Sequence, residues 1–95
     1  MEKIIKVKKE NFEKVKKALL ENEETSKLSI TFREGTIIGN EDVYYIFLQG
    51  PDEIVNEAIE MIKEKEETSE EEEKKVKEKM REEEKKAIEG FGNLF

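Results

Sequence analysis

The sequence predicts an α+β protein with a β-α-β-β-β-α body, a four-stranded and mostly antiparallel sheet, and a charged C-terminal helix. Two observations support this fold class. Some segments alternate apolar and polar residues with period two, as strands do, and others repeat apolar residues every three or four positions, as amphipathic helices do. At 95 residues, the chain has room for one small domain.

The stretch 43–50 organises the predicted sheet, because it is the longest apolar run and is rich in β-branched and aromatic residues. Both of its alternating sets are apolar, which predicts a central strand that is covered on both faces. One set is Val43, Tyr45 and Phe47, and the other is Tyr44, Ile46 and Leu48. We expect the first two helices to cover the set that begins with Val43, so the second set needs another cover.

The N-terminal part of the chain predicts a strand and then a helix. Residues 3–8 alternate, with Ile5 and Val7 on one face. Asn11 suits the N-cap of a helix, and apolar residues then recur at helical spacing. A polar loop follows at residues 21–26.

The middle of the chain predicts an antiparallel meander of three strands. Residues 28–33 alternate strictly between apolar and polar, as expected of a strand near an edge. Residues 36–38 form a short strand after a tight turn at Gly35, and the stretch 43–50 follows. A position for the first strand beside this last one is compatible with a right-handed crossover.

Two further helices complete the prediction. Pro51 and the acids after it begin a helix whose broad apolar stripe covers the same sheet face as the first helix. Ser69 begins a capping box for a third helix, which has a thin apolar stripe, favourable Glu/Lys pairs four residues apart, and a C-terminal cap at Gly90. The predicted organisation is therefore an α+β domain at 1–67, a charged helix at 68–90 and an apolar tail at 91–95.

The composition argues against an enzyme. The chain has no Cys and no His, so it lacks a thiolate nucleophile, the usual zinc ligands and the commonest general base. No hydroxyl residue lies in a nucleophile motif, and no glycine-rich phosphate loop is present. We predict no catalytic residues and no tightly bound cofactor, and we expect a reducing, cytoplasmic location.

The charge pattern bears on partners. The net charge of −7 argues against nucleic acid as the principal partner. No apolar run approaches the roughly 20 residues of a membrane span, so we expect no membrane association. The predominance of Lys and Glu is typical of hyperthermophile proteins and equally of idealised designed sequences.

One acidic turn is a candidate cation site. Asn40, Glu41 and Asp42 offer oxygen ligands of the kind that Ca²⁺ and Mg²⁺ prefer. No EF-hand pattern surrounds them, so weak binding is the most that this turn predicts.

The C-terminal segment is the most distinctive motif. Acidic and basic residues at 82–89 precede Gly90-Phe91-Gly92-Asn93-Leu94-Phe95. This segment resembles the tail of the acidic P-family proteins of the archaeal and eukaryotic ribosomal stalk. In that family the tail recruits translational GTPase factors, so the resemblance implies Phe91, Leu94 and Phe95 as anchors. The resemblance ends with the tail, because the helical dimerisation domain and Ala-rich hinge of the stalk proteins are missing.

Two roles for the tail follow from its apolar side chains. It folds back to cover Tyr44, Ile46 and Leu48, or it binds a partner groove while this sheet face meets a partner or a second copy. We therefore predict a non-enzymatic protein-interaction module with Phe91, Leu94, Phe95, Tyr44, Ile46 and Leu48 as its binding residues. The alternatives are a Ca²⁺- or Mg²⁺-binding acidic protein and a designed scaffold without a biological function.

Overall fold

The computed structural model describes the backbone of residues 1–93 and the side chains of residues 1–83. The elements follow in the order strand, helix, strand, strand, helix, strand, helix. The strands are β1 (Glu2–Lys8), β2 (Ser29–Glu34), β3 (Val43–Gln49) and β4 (Lys65–Glu66). The helices are α1 (Lys9–Glu21), α2 (Asp52–Met61) and α3 (Glu70–Asn93).

The four strands form one sheet in the order β2-β3-β1-β4, and each neighbouring pair is antiparallel. Up to β4, this element and strand order is the split βαβ arrangement, also called ferredoxin-like. The predicted α+β class, the four-stranded antiparallel sheet, the central β3 and the edge strand β2 are all confirmed. The first strand lies beside β3, in the position that the sequence suggested.

The helices α1 and α2 cover one face of the sheet, called here the inner face, as predicted. The apolar stripes of the two helices pack against Ile5 and Val7 of β1 and against the residues of β3 that face the same way. The buried members of this cluster are Ile5, Val7, Phe12, Val15, Leu19, Leu28, Ile46, Leu48, Val55, Ala58 and Ile62. Each large side chain buried in this way contributes about 1.5–3 kcal/mol, so the inner cluster, which has more buried members than the outer one, supplies most of the apolar burial.

The predicted third strand at 36–38 is wrong, because residues Gly35–Ile38 form a 3₁₀ helix. The backbone N–H of Asn40 donates to the carbonyl oxygen of Gly35 over 2.9 Å, which closes this turn back on itself. A Cβ at Gly35 would collide with the carbonyl oxygens of Asn40 and Val43, so only glycine fits here. The tight turn brings the isoleucines at 37 and 38 onto the outer face of the sheet, opposite α1 and α2.

The fourth strand is instead β4, which the sequence pattern missed. Its two residues pair with Lys6 and Val7 at the far edge of β1. Two polar residues, Lys65 and Glu66, carry no periodicity, so tertiary pairing alone defines this strand.

Of three helix ends that the sequence predicted, the structure confirms one. Helix α1 begins at Lys9 rather than after Asn11, because the Lys9 N–H donates to the Asp42 carbonyl oxygen (2.8 Å) and the chain turns directly from β1 into the helix. The Ser69 cap is confirmed, since its Oγ accepts the N–H of Glu72 at 3.1 Å. Gly90 does not end α3, because the helical backbone continues to Asn93.

Substitutions at two glycines test the tight turn. We expect Gly35→Ala to destabilise the fold by about 2–3 kcal/mol, because the new methyl group must displace backbone. Gly39 has φ +82° but open space around it, so Gly39→Ala should cost only about 1 kcal/mol for the left-handed conformation. Urea unfolding of both variants measures the difference, and an equal or larger loss at Gly39 would contradict this account of the turn.

Candidate functional site

The structure places the predicted binding residues of β3 on the inner face, under α1 and α2. Ile46 and Leu48 are fully buried there, and the Tyr44 ring stacks on Phe12 with 3.9 Å between ring centroids. The prediction that these three residues face away from the first two helices is therefore wrong. Both alternating sets of β3 are apolar, so only the pairing with β1, which puts Ile5 opposite Ile46, decides which set faces inward. In this fold Ile46 and Leu48 are closed to a partner.

The outer face of the sheet carries the other set, Val43, Tyr45 and Phe47, together with Ile4 of β1. Helix α3 lies over this face, and its buried Val76 and Met80 pack on it. The expectation that the third helix covers the second face is confirmed, but two mid-helix side chains supply the cover. The Phe-rich end proposed for that role is outside the residues whose side chains are described.

Ion pairs from α3 to the sheet add to this apolar contact. Lys6 Nζ bonds both oxygens of Glu72, at 2.9 and 3.1 Å, and both side chains are only 18% exposed. On the edge strand β2, Arg33 Nε donates to Glu83 over 2.7 Å. The predicted Glu/Lys pairs four residues apart within α3 are not formed among residues 1–83, where its acids reach across to the sheet instead. The acidic helix is therefore matched in charge to the strands beneath it.

Tyr45 is the one outer-face side chain, among those described, with a polar group sealed under α3. The residue is 1% exposed, and its hydroxyl has no hydrogen-bond partner of ordinary geometry within residues 1–83. Burial raises the pKa of this phenol above its ordinary value of 10.0, and the nearby Glu72 carboxylate adds to the increase, while the Asn40 side chain acts in the opposite direction. The folded state therefore favours the neutral phenol over the phenolate.

The acidic turn predicted to attract a cation lies between the 3₁₀ helix and β3. The Asp42 carbonyl oxygen is bonded to the N–H of Lys9, and the Asn40 side chain lies near Tyr45. Within residues 1–83, no three acidic side chains converge in a way that could hold a metal ion. The proposed weak Ca²⁺ or Mg²⁺ site at Asn40, Glu41 and Asp42 stays a prediction that no geometric feature of these residues strengthens.

One open cleft in the described residues has a volume of about 880 Å³. Its lining contains both lysines and carboxylates, and the described side chains that line it include no hydroxyl, thiol or imidazole group. Its lining residues are Lys6, Lys8, Lys9, Glu10, Asp42, Val43, Glu66 and Glu67. Lys8 Nζ lies 3.6 Å from a Glu66 carboxylate oxygen, and with charges of both signs in the lining the cleft does not present a field of one sign.

The remaining predicted anchors are at the chain end. The side chain of Phe91 and the whole of Leu94 and Phe95 lie outside the described residues. Among the residues that are described, no helix combines the length and apolarity needed to cross a membrane. Comparison of the chain with models of protein families, with curated proteins and with solved structures found no match.

Tyr45→Phe tests the sealed hydroxyl. Because the hydroxyl has no good partner among the described residues, we expect no loss of stability at neutral pH and a gain of up to about 1 kcal/mol. Because the folded state holds the phenol proton more tightly than the unfolded state, titration of Tyr45 does not lower stability below pH 10 but does so as the pH rises from there through the folded pKa. The wild type should therefore lose stability relative to Tyr45→Phe only in alkaline solution.

The same residue can be titrated directly. The chain has two tyrosines, so in Tyr44→Phe the phenolate absorbance reports Tyr45 alone, and its midpoint should lie above 10.0. A midpoint at or below that value, or a Tyr45→Phe variant that unfolds more easily at neutral pH, would contradict the sealed environment.

Val76→Asp tests whether α3 is a separable cover. An unpaired carboxylate against the outer face costs several kcal/mol, so α3 should detach and its backbone become accessible to trypsin. We expect tryptic cleavage at 74–86 to accelerate more than about tenfold. Glu78→Asp is the control, because it introduces the same residue on the exposed side of the helix. Equal acceleration within α1 would mean that the two covers unfold together.

Proposed function

We propose that this chain is a small non-enzymatic protein-interaction module. Its body anchors α3, and the apolar end of the chain, with Phe91, Leu94 and Phe95, binds a groove on a protein partner. The observation that supports this best is that residues up to Met80 already cover both faces of the sheet. The body's core therefore does not require the apolar residues of the tail.

This observation favours a tail that binds a partner over a tail that folds back onto the body. The sequence favours folding back only if Tyr44, Ile46 and Leu48 need a cover. Those residues pack under α1 and α2, and the opposite set packs under Val76 and Met80. Three large apolar side chains that this core does not need are suited to burial against another molecule, as short apolar motifs are when they dock in grooves.

The anchoring of α3 supports the same proposal. Val76, Met80 and ion pairs at Glu72, Glu73 and Glu83 attach the described part of the helix to the sheet. The last of these contacts is on β2, which is the edge of the sheet. A helix held firmly at its start can carry a binding motif at its end without loss of stability in the body.

The chemistry of the motif suggests a class of partner. The tail combines a charged approach segment with aromatic and leucine anchors spaced by glycine, and it resembles the tail that recruits translational GTPase factors in stalk proteins. A translational GTPase is therefore the proposed partner class.

Truncation of residues 91–95 tests this proposal. Titration of the full chain and the truncated chain into a purified translational GTPase should show at least about a tenfold loss of affinity, or about 1.4 kcal/mol. The thermal unfolding midpoint should not change, because the core is complete without the tail. The Leu20→Ser variant removes an exposed leucine elsewhere, on α1, and should bind like the wild type.

Two results would count against the proposal in different ways. A clear fall of the unfolding midpoint on truncation would mean that the tail docks on its own body. An unchanged midpoint with no binding to the GTPase by either chain would reject the partner class.

A further inference from the structure

We propose that the open edge of β2 pairs with the same edge of a second copy, so that two sheets join into one of eight strands. This inference does not depend on the tail. It rests on the direction of the backbone groups of β2, on the side chains beside them, and on the symmetry of the strand.

The direction of the backbone groups follows from the hydrogen bonds at the start of β1. The amino group of Met1 donates to the Gly50 carbonyl oxygen (2.9 Å), and the Gly50 N–H donates back to the Met1 carbonyl oxygen (3.1 Å). In an antiparallel ladder such mutual pairs recur every second residue. The even residues of β3 therefore bond to β1, and its odd residues bond to β2.

The register between β2 and β3 determines which backbone groups of β2 point away from the sheet. Thr31 is opposite Phe47, so the odd residues of β2 bond to β3. The backbone N–H and C=O groups of Ile30 and Phe32 then point away from the sheet, at an edge without another strand in the described part of the chain. These outward groups are what a further strand would need.

Common devices that prevent edge pairing are weak on this strand. Its six residues include no proline and no lysine. Arg33 Nη1 donates to the Phe32 carbonyl oxygen over 2.8 Å, but a carbonyl oxygen accepts two hydrogen bonds, which leaves room for a partner N–H. The side chains of Ile30 and Phe32 are only partly buried on the inner face, so apolar surface is exposed beside this edge.

A second copy fits the edge because β2 is complementary to itself. In the antiparallel register centred on Thr31, Ile30 is opposite the Phe32 of the other copy, and Ser29 is opposite its Arg33. The outward groups of Ile30 and Phe32 then bond each other across the axis, apolar side chains meet on the inner face, and no like charges face each other. Because each copy carries a net charge of −7, association should strengthen with added salt.

A single engineered cysteine tests both the pairing and its register, since the chain contains no cysteine. In the proposed dimer the two Thr31 residues form a non-hydrogen-bonded pair about 4.5 Å apart at Cα, a separation at which a disulfide forms. Thr31→Cys should therefore give a disulfide-linked dimer under mild oxidation. Ser29→Cys is the control, because the two copies of residue 29 would be about 13 Å apart.

Ser29→Cys is a stringent control. Ser29 is exposed whereas Thr31 is half-buried, so random collisions between monomers would cross-link residue 29 faster than residue 31. Faster cross-linking at residue 31, together with a dimer of the wild-type chain in sedimentation equilibrium that tightens with salt, supports the proposal. Cross-linking at residue 29 that equals or exceeds that at residue 31 overturns it, and so does a wild-type chain that stays monomeric at every concentration. Circular dichroism confirms that each variant is folded.

Discussion

The burial of β3 on both faces is the constraint on which the rest of this structure depends. Its two alternating sets are both apolar, so the strand is stable only inside the sheet and between two layers. β1 and β2 occupy its two sides, and the helices supply the layers above and below. In so small a domain, most of the large apolar side chains up to Met80 are used to meet this demand.

The two layers differ in kind. The inner layer is a large apolar cluster formed by two helices. In the outer layer, Val76 and Met80 are the buried apolar side chains that α3 contributes among those described, and they are worth about 3–6 kcal/mol together. The exposed ion pairs around them add little, because solvent screens them, whereas the half-buried Lys6–Glu72 pair is shielded and bidentate. The outer layer is therefore the one that can carry an additional role at low cost to the core.

The edge strand β2 connects the two proposed interactions. Arg33 bonds Glu83 of α3 through Nε and the Phe32 carbonyl oxygen through Nη1, so one side chain contacts both the helix and the open edge. The strand is thus both the last sheet element that the described part of α3 touches and the place where a second sheet would join. Pairing of two copies would present two C-terminal tails on one assembly, which raises the effective concentration of the motif for a partner with more than one groove.

The sequence alone determined the fold class, the central place of β3, the edge position of β2 and the two helices on one face, because period and burial are local properties of apolar residues. It did not determine which face of β3 meets which helix. With Tyr44 and Tyr45 both large and apolar, only the register with β1 separates them. The 3₁₀ helix at Gly35–Ile38 and the two-residue strand β4 were also decided by tertiary structure. The first follows from a close backbone approach to Val43, and the second from pairing with Lys6, and neither leaves a periodic signal in so few residues.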